Sequence, residues 1–161
     1  MYGKIGAVSA RFLIIALMLG APFVAAEEGP QTALDKALQA AWDDPEHQLE
    51  YYNVFLNSQI LIPTVDRPET TGVRLAGDDE TISPVIIESE GVQYLMLFDT
   101  EERLADWARR PMGFAGVPGH AIVRTMKPDF YWLLNVGTDY TKRFVPEEIS
   151  WLKSEIVALD E

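Results

Sequence analysis

The sequence predicts an α+β fold: a single domain in which an N-terminal helical hairpin packs on a mixed, largely antiparallel sheet with further helices. Three observations predict it. Between Thr32 and Asn57 two segments carry apolar residues at helical spacing on either side of an Asp-Pro restart. From Gln59 the chain turns to runs of β-branched, aromatic and leucine residues broken by Pro, Gly and Asn. After Pro146 the apolar spacing returns to threes and fours.

The first helix places Leu34, Leu38, Ala41 and Trp42 on one side, and Thr32 supplies a hydroxyl to cap its free N–H groups. Asp43-Asp44-Pro45-Glu46 then ends it and starts another. This run offers an acidic N-cap, a proline at the first helical position where its missing N–H costs nothing, and an acid facing the dipole. The second helix runs to about Asn57 with Leu49, Tyr52, Phe55 and Leu56 inward, closing an αα-hairpin. Gln59-Ile60-Leu61-Ile62-Pro63 is a strand that proline ends. Asp66 to Glu80 is a polar loop holding Pro68, Gly72 and Gly77, with Val73-Arg74-Leu75 as a short edge strand.

Val85-Ile86-Ile87 and Tyr94 to Phe98 flank Glu88-Ser89-Glu90-Gly91 and predict a hairpin with a bulged turn. Continuous apolar runs in both arms point to a central, doubly covered place in the sheet. Asp99, with Glu102 three residues on, reads as the cap of a helix that buries Leu104, Trp107 and Ala108. Arg109-Arg110 complements its dipole and Pro111 stops it. Met112 to Gly119 reads as a glycine-rich loop, followed by a short helix from His120 to Met126 with Ile122 and Met126 inward. Phe130 to Leu134 is a strand, Asn135-Val136-Gly137-Thr138 a turn, and Lys142 to Val145 the antiparallel return. Pro146-Glu147-Glu148 opens the last helix, whose buried stripe is Ile149, Leu152, Ile156 and Leu159.

Residues 1–26 read as an export signal and residues 27–161 as the domain. Lys4 and Arg11 form a positive n-region, Phe12 to Phe23 is mostly apolar, and Val24-Ala25-Ala26 offers small residues for cleavage between Ala26 and Glu27. An uncleaved anchor is the alternative. Its uncharged run of about 15 residues, broken by Gly20 and Pro22, falls short of the roughly 20 that span a bilayer. The expected location is therefore periplasmic or secreted, with no membrane contact once the leader is gone. The chain has no cysteine, which rules out disulfides, thiolate nucleophiles and thiolate zinc sites. Losing Lys4 and Arg11 leaves 11 basic against 25 acidic side chains, a net charge of −14 on 135 residues. Nucleic acid is excluded as a partner on this ground, because the basic residues never gather beyond the two adjacent pairs Arg109-Arg110 and Lys142-Arg143.

Chemistry is sparsely signalled. The nucleophile-elbow, P-loop, dinucleotide-binding, zincin and EF-hand patterns are all absent from the sequence. Two distant histidines, His47 and His120, are the only neutral bases, and His120 follows the glycine-rich stretch. Asp78-Asp79-Glu80 lacks the alternating oxygen ligands of calcium loops, so no metal or other cofactor is expected. Phe130-Tyr131-Trp132 alternates on a strand and sends Tyr131 to the face opposite its neighbours. If a helix leaves that face uncovered, Tyr131 with residues near Asn135 forms a partner-binding patch. Trp42, Trp107 and Trp151 lie on helices and are expected to pack inward or along the rim.

The order of several signals resembles the SseB N-terminal domain family. These are Asp44-Pro45-Glu46, Tyr51-Tyr52, Ile60-Leu61-Ile62-Pro63, Tyr94 to Phe98 with Thr100-Glu101-Glu102-Arg103-Leu104, Leu134-Asn135 with Gly137, and Pro146-Glu147-Glu148-Ile149. The resemblance covers about residues 34–153 and implies a bacterial α+β domain. It also carries a sulfurtransferase-like label, which the absence of any cysteine to store sulfur argues against. The expected role is an exported, noncatalytic interaction or accessory domain of the bacterial envelope that contacts another envelope protein, with His120, Tyr131 and Asn135 as candidate contacts. The alternative is an enzyme of unassigned type built around His120 with loop acids such as Asp66 or Asp129.

Overall fold

Thr32 begins the fold with a reciprocal capping box. Its hydroxyl accepts from the Asp35 N–H at 3.1 Å, and the Asp35 carboxylate accepts from the Thr32 N–H at 3.2 Å. Two of the unpaired donors at the start of α1 (Ala33–Asp43) are thereby satisfied. The computed structural model describes residues 29–65, 74–75 and 82–159, so the expected leader with its Ala26–Glu27 cleavage point, Asp66 and Asp78-Asp79-Glu80 lie outside the described residues. After α1, Asp44 caps a 3₁₀ turn over Pro45–His47, accepting from the Glu46 N–H at 2.9 Å, and the chain continues as α2 (Gln48–Asn57).

That 3₁₀ turn corrects one expectation. Three residues at about 120° each rather than about 100° rotate the following face by roughly 60°. Tyr51, Tyr52 and Phe55 therefore take the inward side, and Leu49 is left 67% exposed. The hairpin itself is as expected, α1 lying against α2.

The strands are β1 (Gln59–Pro63), β2 (Arg74–Leu75), β3 (Ile86–Ser89), β4 (Val92–Leu97), β5 (Phe114–Pro118), β6 (Tyr131–Leu134) and β7 (Lys142–Phe144). They make two sheets, ordered β1-β5-β2 and β3-β4-β6-β7. Pairing is antiparallel for β1–β5, β3–β4 and β6–β7, and parallel for β2–β5 and β4–β6. A bridge between Leu61 and Phe98, with N–H···O distances of 2.7 and 2.9 Å, joins the sheets. Between the strands lie α3 (Glu101–Ala108) and α4 (Gly119–Thr125), and α5 (Pro146–Leu159) ends the domain.

Four further expectations change. The glycine-rich stretch 112–119 is mostly the buried strand β5, because Phe114, Ala115 and Val117 find cover against β1 and the small Gly116 fits the crowded centre of its sheet. The hairpin turn has two residues and no bulge: Ser89 pairs with Val92 while Glu90 and Gly91 take φ of 53° and 78°. Of the two hairpin arms only β4 is central; β3 is a largely exposed edge strand. The cap of α3 is Thr100, whose hydroxyl accepts from the Arg103 N–H at 3.2 Å, because Asp99 is engaged elsewhere.

One face of the four-stranded sheet and the helices α1, α2, α4 and α5 enclose the main core, where Phe55, Leu97, Trp132, Phe144 and Ile149 are almost wholly buried. In α5 the stripe Ile149, Leu152 and Ile156 is buried as expected, and the side chain of Leu159 lies outside the described residues. A smaller cluster of Leu61, Met96, Phe98, Leu104 and Phe114 lies under α3. The helical tryptophans sit on the rim: Trp42 stacks on Tyr140 at 6.0 Å, Trp151 on Tyr52 at 5.3 Å and Trp107 on Phe98 at 5.2 Å.

Gly119 begins α4 directly against the backbone of α2, where a Cβ would collide with the Phe55 carbonyl group. Because the obstacle is backbone, it cannot rotate away. Gly119→Ala should therefore destabilise the domain by about 1–3 kcal/mol, read as a lower urea midpoint; Gly29→Ala, with no atom near its added Cβ, should leave it unchanged.

Candidate functional site

Alternation along β6 sends Trp132 and Leu134 into the core and Tyr131 and Leu133 to the other side of the sheet. Strand register extends that second face into two rows. Ile87, Tyr94 and Tyr131 are successive partners across β3, β4 and β6, and Met96, Leu133 and Arg143 are partners across β4, β6 and β7. Tyr94 and Tyr131 pack at 5.7 Å between ring centroids, and the Arg143 guanidinium lies over the Tyr131 ring at 5.2 Å. Among the described residues only α3 reaches this face, and it covers one end through Trp107. The remainder holds an open cavity of about 470 Å³ bounded by Ile87, Tyr94, Met96, Trp107, Leu133 and Arg143. Ile87 is 40% exposed, and Tyr94, Tyr131 and Leu133 are only half-buried.

Asn135 closes β6 and belongs to a different arrangement. Its backbone adopts φ 57°, its N–H donates to Leu97 O at 2.9 Å and its side-chain oxygen accepts from the Asp99 N–H at 3.0 Å. The Asp99 carboxylate accepts from Thr32 Oγ1 at 2.7 Å and from Arg103 Nη1 at 2.9 Å. Arg103 also grips Asp35 with both terminal nitrogens, at 2.9 and 2.5 Å. Burial by itself would raise the Asp35 carboxyl. Hydrogen bonds from Arg103 and from the Gln31 and Thr32 backbone N–H groups outweigh it and hold the pKa below the ordinary carboxylate value. The same Asp35 contacts raise the Arg103 pKa. Asn135 is thus buried at 1% exposure, and its side chain is inaccessible to a partner, which corrects its placing among the contact residues.

His120 is not joined to either group. It is exposed on α4, where Nδ1 donates to the Leu56 carbonyl oxygen at 3.1 Å, and it lines none of the cavities described. Asp129 instead borders a shallow cavity with Tyr131 and Glu88. His47 lies near Glu50 on an exposed turn. No cluster of three or more His, Asp or Glu side chains suited to a metal ion occurs among the described residues, nor is any described helix long and apolar enough to cross a membrane. A polar cavity of about 430 Å³ opens beside Arg103, rimmed by Glu102, Asp106 and Asp139. Reading the sequence alone missed Ile87, Tyr94, Leu133 and Arg143; the signal was alternation within β4 and β6, which means little until strand register aligns the rows.

Fold and face together define a class, an α+β domain whose four-stranded sheet is covered by helices on one side and, among the described residues, only by α3 at one end of the other. The chain belongs to the SseB protein N-terminal domain family, matched over residues 34–151. That span contains the open face and, of the Arg103 group, Asp35, Asp99, Arg103 and Asn135. No curated protein and no solved structure matches the chain.

Two outcomes follow from the geometry. Arg103→Met would leave Asp35 and Asp99 buried without their cation and should cost about 3–5 kcal/mol at pH 7 in urea unfolding. In the wild type, the stability held by Asp35 is complete above its ordinary pKa of about 3.9 and disappears as the pH falls through the lower folded value, so Arg103→Met should also flatten the acid-side slope. On the sheet, Trp132→Ala should cost about 3–5 kcal/mol, whereas Tyr131→Ala should cost at most about 2 kcal/mol because it removes only one ring pair and one cation contact.

Proposed function

We propose that this chain is an exported, noncatalytic interaction domain of the bacterial envelope, and that the open face of the β3-β4-β6-β7 sheet is where it meets another envelope protein. The observation that carries the reading is the pair of half-buried rings, Tyr94 and Tyr131, beside Leu133 and Arg143 on a face that no described helix covers at that end. Aromatic and Arg side chains are enriched at interface centres, and apolar surface left open in this way gains most from association. Export rests on the leader, with its charged start, short apolar run and Ala26–Glu27 cleavage point.

An enzyme centred on His120 finds less support. Among the cavities described, Asp129 borders one that His120 does not line, and a general base needs its partner group within hydrogen-bond reach of a shared substrate position.

A photo-crosslinking amino acid placed at position 131, and in parallel at position 120, separates the two readings in intact cells. Position 131 should yield a discrete adduct with an envelope protein on chains that mass spectrometry finds beginning at Glu27, and position 120 should not. Adducts at 120 alone, or protein retaining residues 1–26 in the cytoplasmic fraction, would overturn the reading.

A further inference from the structure

We infer that the occupant of the open sheet face is an amphipathic helix of the partner protein, carrying an acidic residue on the flank that meets Arg143 and a basic residue at the end that meets Asp129. This rests on the interaction reading above and specifies its partner. Three observations carry it.

The first is the parallel pair β4–β6 at the centre of the sheet. Parallel strands are ordinarily covered on both faces by helices, because their crossovers place helices there. Here the core face has that cover, whereas among the described residues α3 alone reaches the other face and spans only the end marked by Trp107 and Val136. The uncovered part crosses four strands, about 14 Å at the usual strand spacing, and one helix with its side chains is about 10–12 Å across. A single added helix completes the missing layer.

The second is the arrangement of charge around an apolar floor. Arg143 stands on β7 against the ring of Tyr131, and no described carboxylate pairs with it. At the hairpin end of β3 and β4 the exposed Asp129 borders the shallow cavity that Tyr131 shares, whereas Glu88 alternates with Ile87 and falls on the other face. The floor between them is Ile87, Tyr94 and Leu133. A complementary surface is therefore apolar along its centre, negative toward β7 and positive toward the hairpin.

The third is the charge of the whole chain, −12, which favours a partner that is basic overall and repels one that is acidic throughout. A second copy of this chain fails on that count. An extended strand added to the exposed edge β3 would lie beyond Ile87 and leave Arg143, on the opposite edge strand, without a contact.

The test uses the full chain in its own cells, with the crosslinker at Leu133 and the captured partner segment mapped by mass spectrometry. That segment is then synthesised, and its affinity for the purified domain is measured by calorimetry. The inference expects apolar residues spaced i, i+3, i+4, i+7, helical circular dichroism on binding, and at least tenfold weaker binding by Arg143→Glu. Changing the segment's acid to Lys should restore that affinity, and Arg143→Lys should retain most of it. Arg143 is exposed, so unchanged thermal melting will show that these variants fold. A segment without helical spacing, a second copy of this chain as the adduct, or indifference to Arg143→Glu would overturn the helix while leaving a protein partner at this face. No adduct from either Leu133 or Tyr131 would remove the interaction reading itself.

Discussion

One buried guanidinium ties together the first helix, the central strands and α3. Arg103, with its side chain 11% exposed, holds two carboxylates that are themselves nearly inaccessible, Asp35 at the start of α1 and Asp99 at the end of β4. Each acid has a second duty. Asp35 closes the capping box of Thr32, and Asp99 accepts from the Thr32 hydroxyl while its backbone N–H is fixed by Asn135 beyond β6. The first helix, the central parallel pair and α3 are thus locked at one point. Apolar side chains of similar volume would often serve stability as well as a buried ion group does. What the charges add is direction: two-pronged hydrogen bonds tolerate little displacement, whereas apolar contacts can slide.

A second tie works at the opposite side of the core. The Tyr52 hydroxyl donates to Glu148 at 2.6 Å, and Lys142 reaches the same carboxylate at 2.7 Å, linking α2, β7 and α5. Burial and the bond to Glu148 raise the Tyr52 pKa, so the hydroxyl stays a donor throughout the physiological range. Between these ties lies the aromatic core, with Phe144 touching Tyr51, Phe55 and Trp132.

Local chemistry made most elements readable. Thr32, the Asp44-Pro45 restart, the apolar run 94–98 and the stripe after Pro146 act through their own backbone neighbours, and each produced the expected element. Strand β5 was hidden because Gly116 within it and Gly113 and Gly119 beside it suit a loop locally, and only the pairing with β1 makes the segment a strand. The cap of α3 was misplaced by one residue for a related reason: Asp99 is as good a cap as Thr100, but Arg103 and Thr32 compete for its oxygens. The site was less legible. Tyr131 could be placed on the far face by alternation, but the same reasoning could not show that α3 stops short of it. Asn135 looked available because turn residues usually are, and the left-handed backbone that buries it was visible only as an Asn before a glycine-containing turn.

The spacing of the ion group along the chain bears on how the protein is born. Asp35 and Arg103 are 68 residues apart. A ribosome finishes α1 long before the guanidinium that anchors it is made, and Asn135 is translated later still. The nascent N-terminal hairpin must therefore remain loosely held for most of synthesis, which leaves it available to chaperones during the same interval in which an export machinery would need an unfolded substrate.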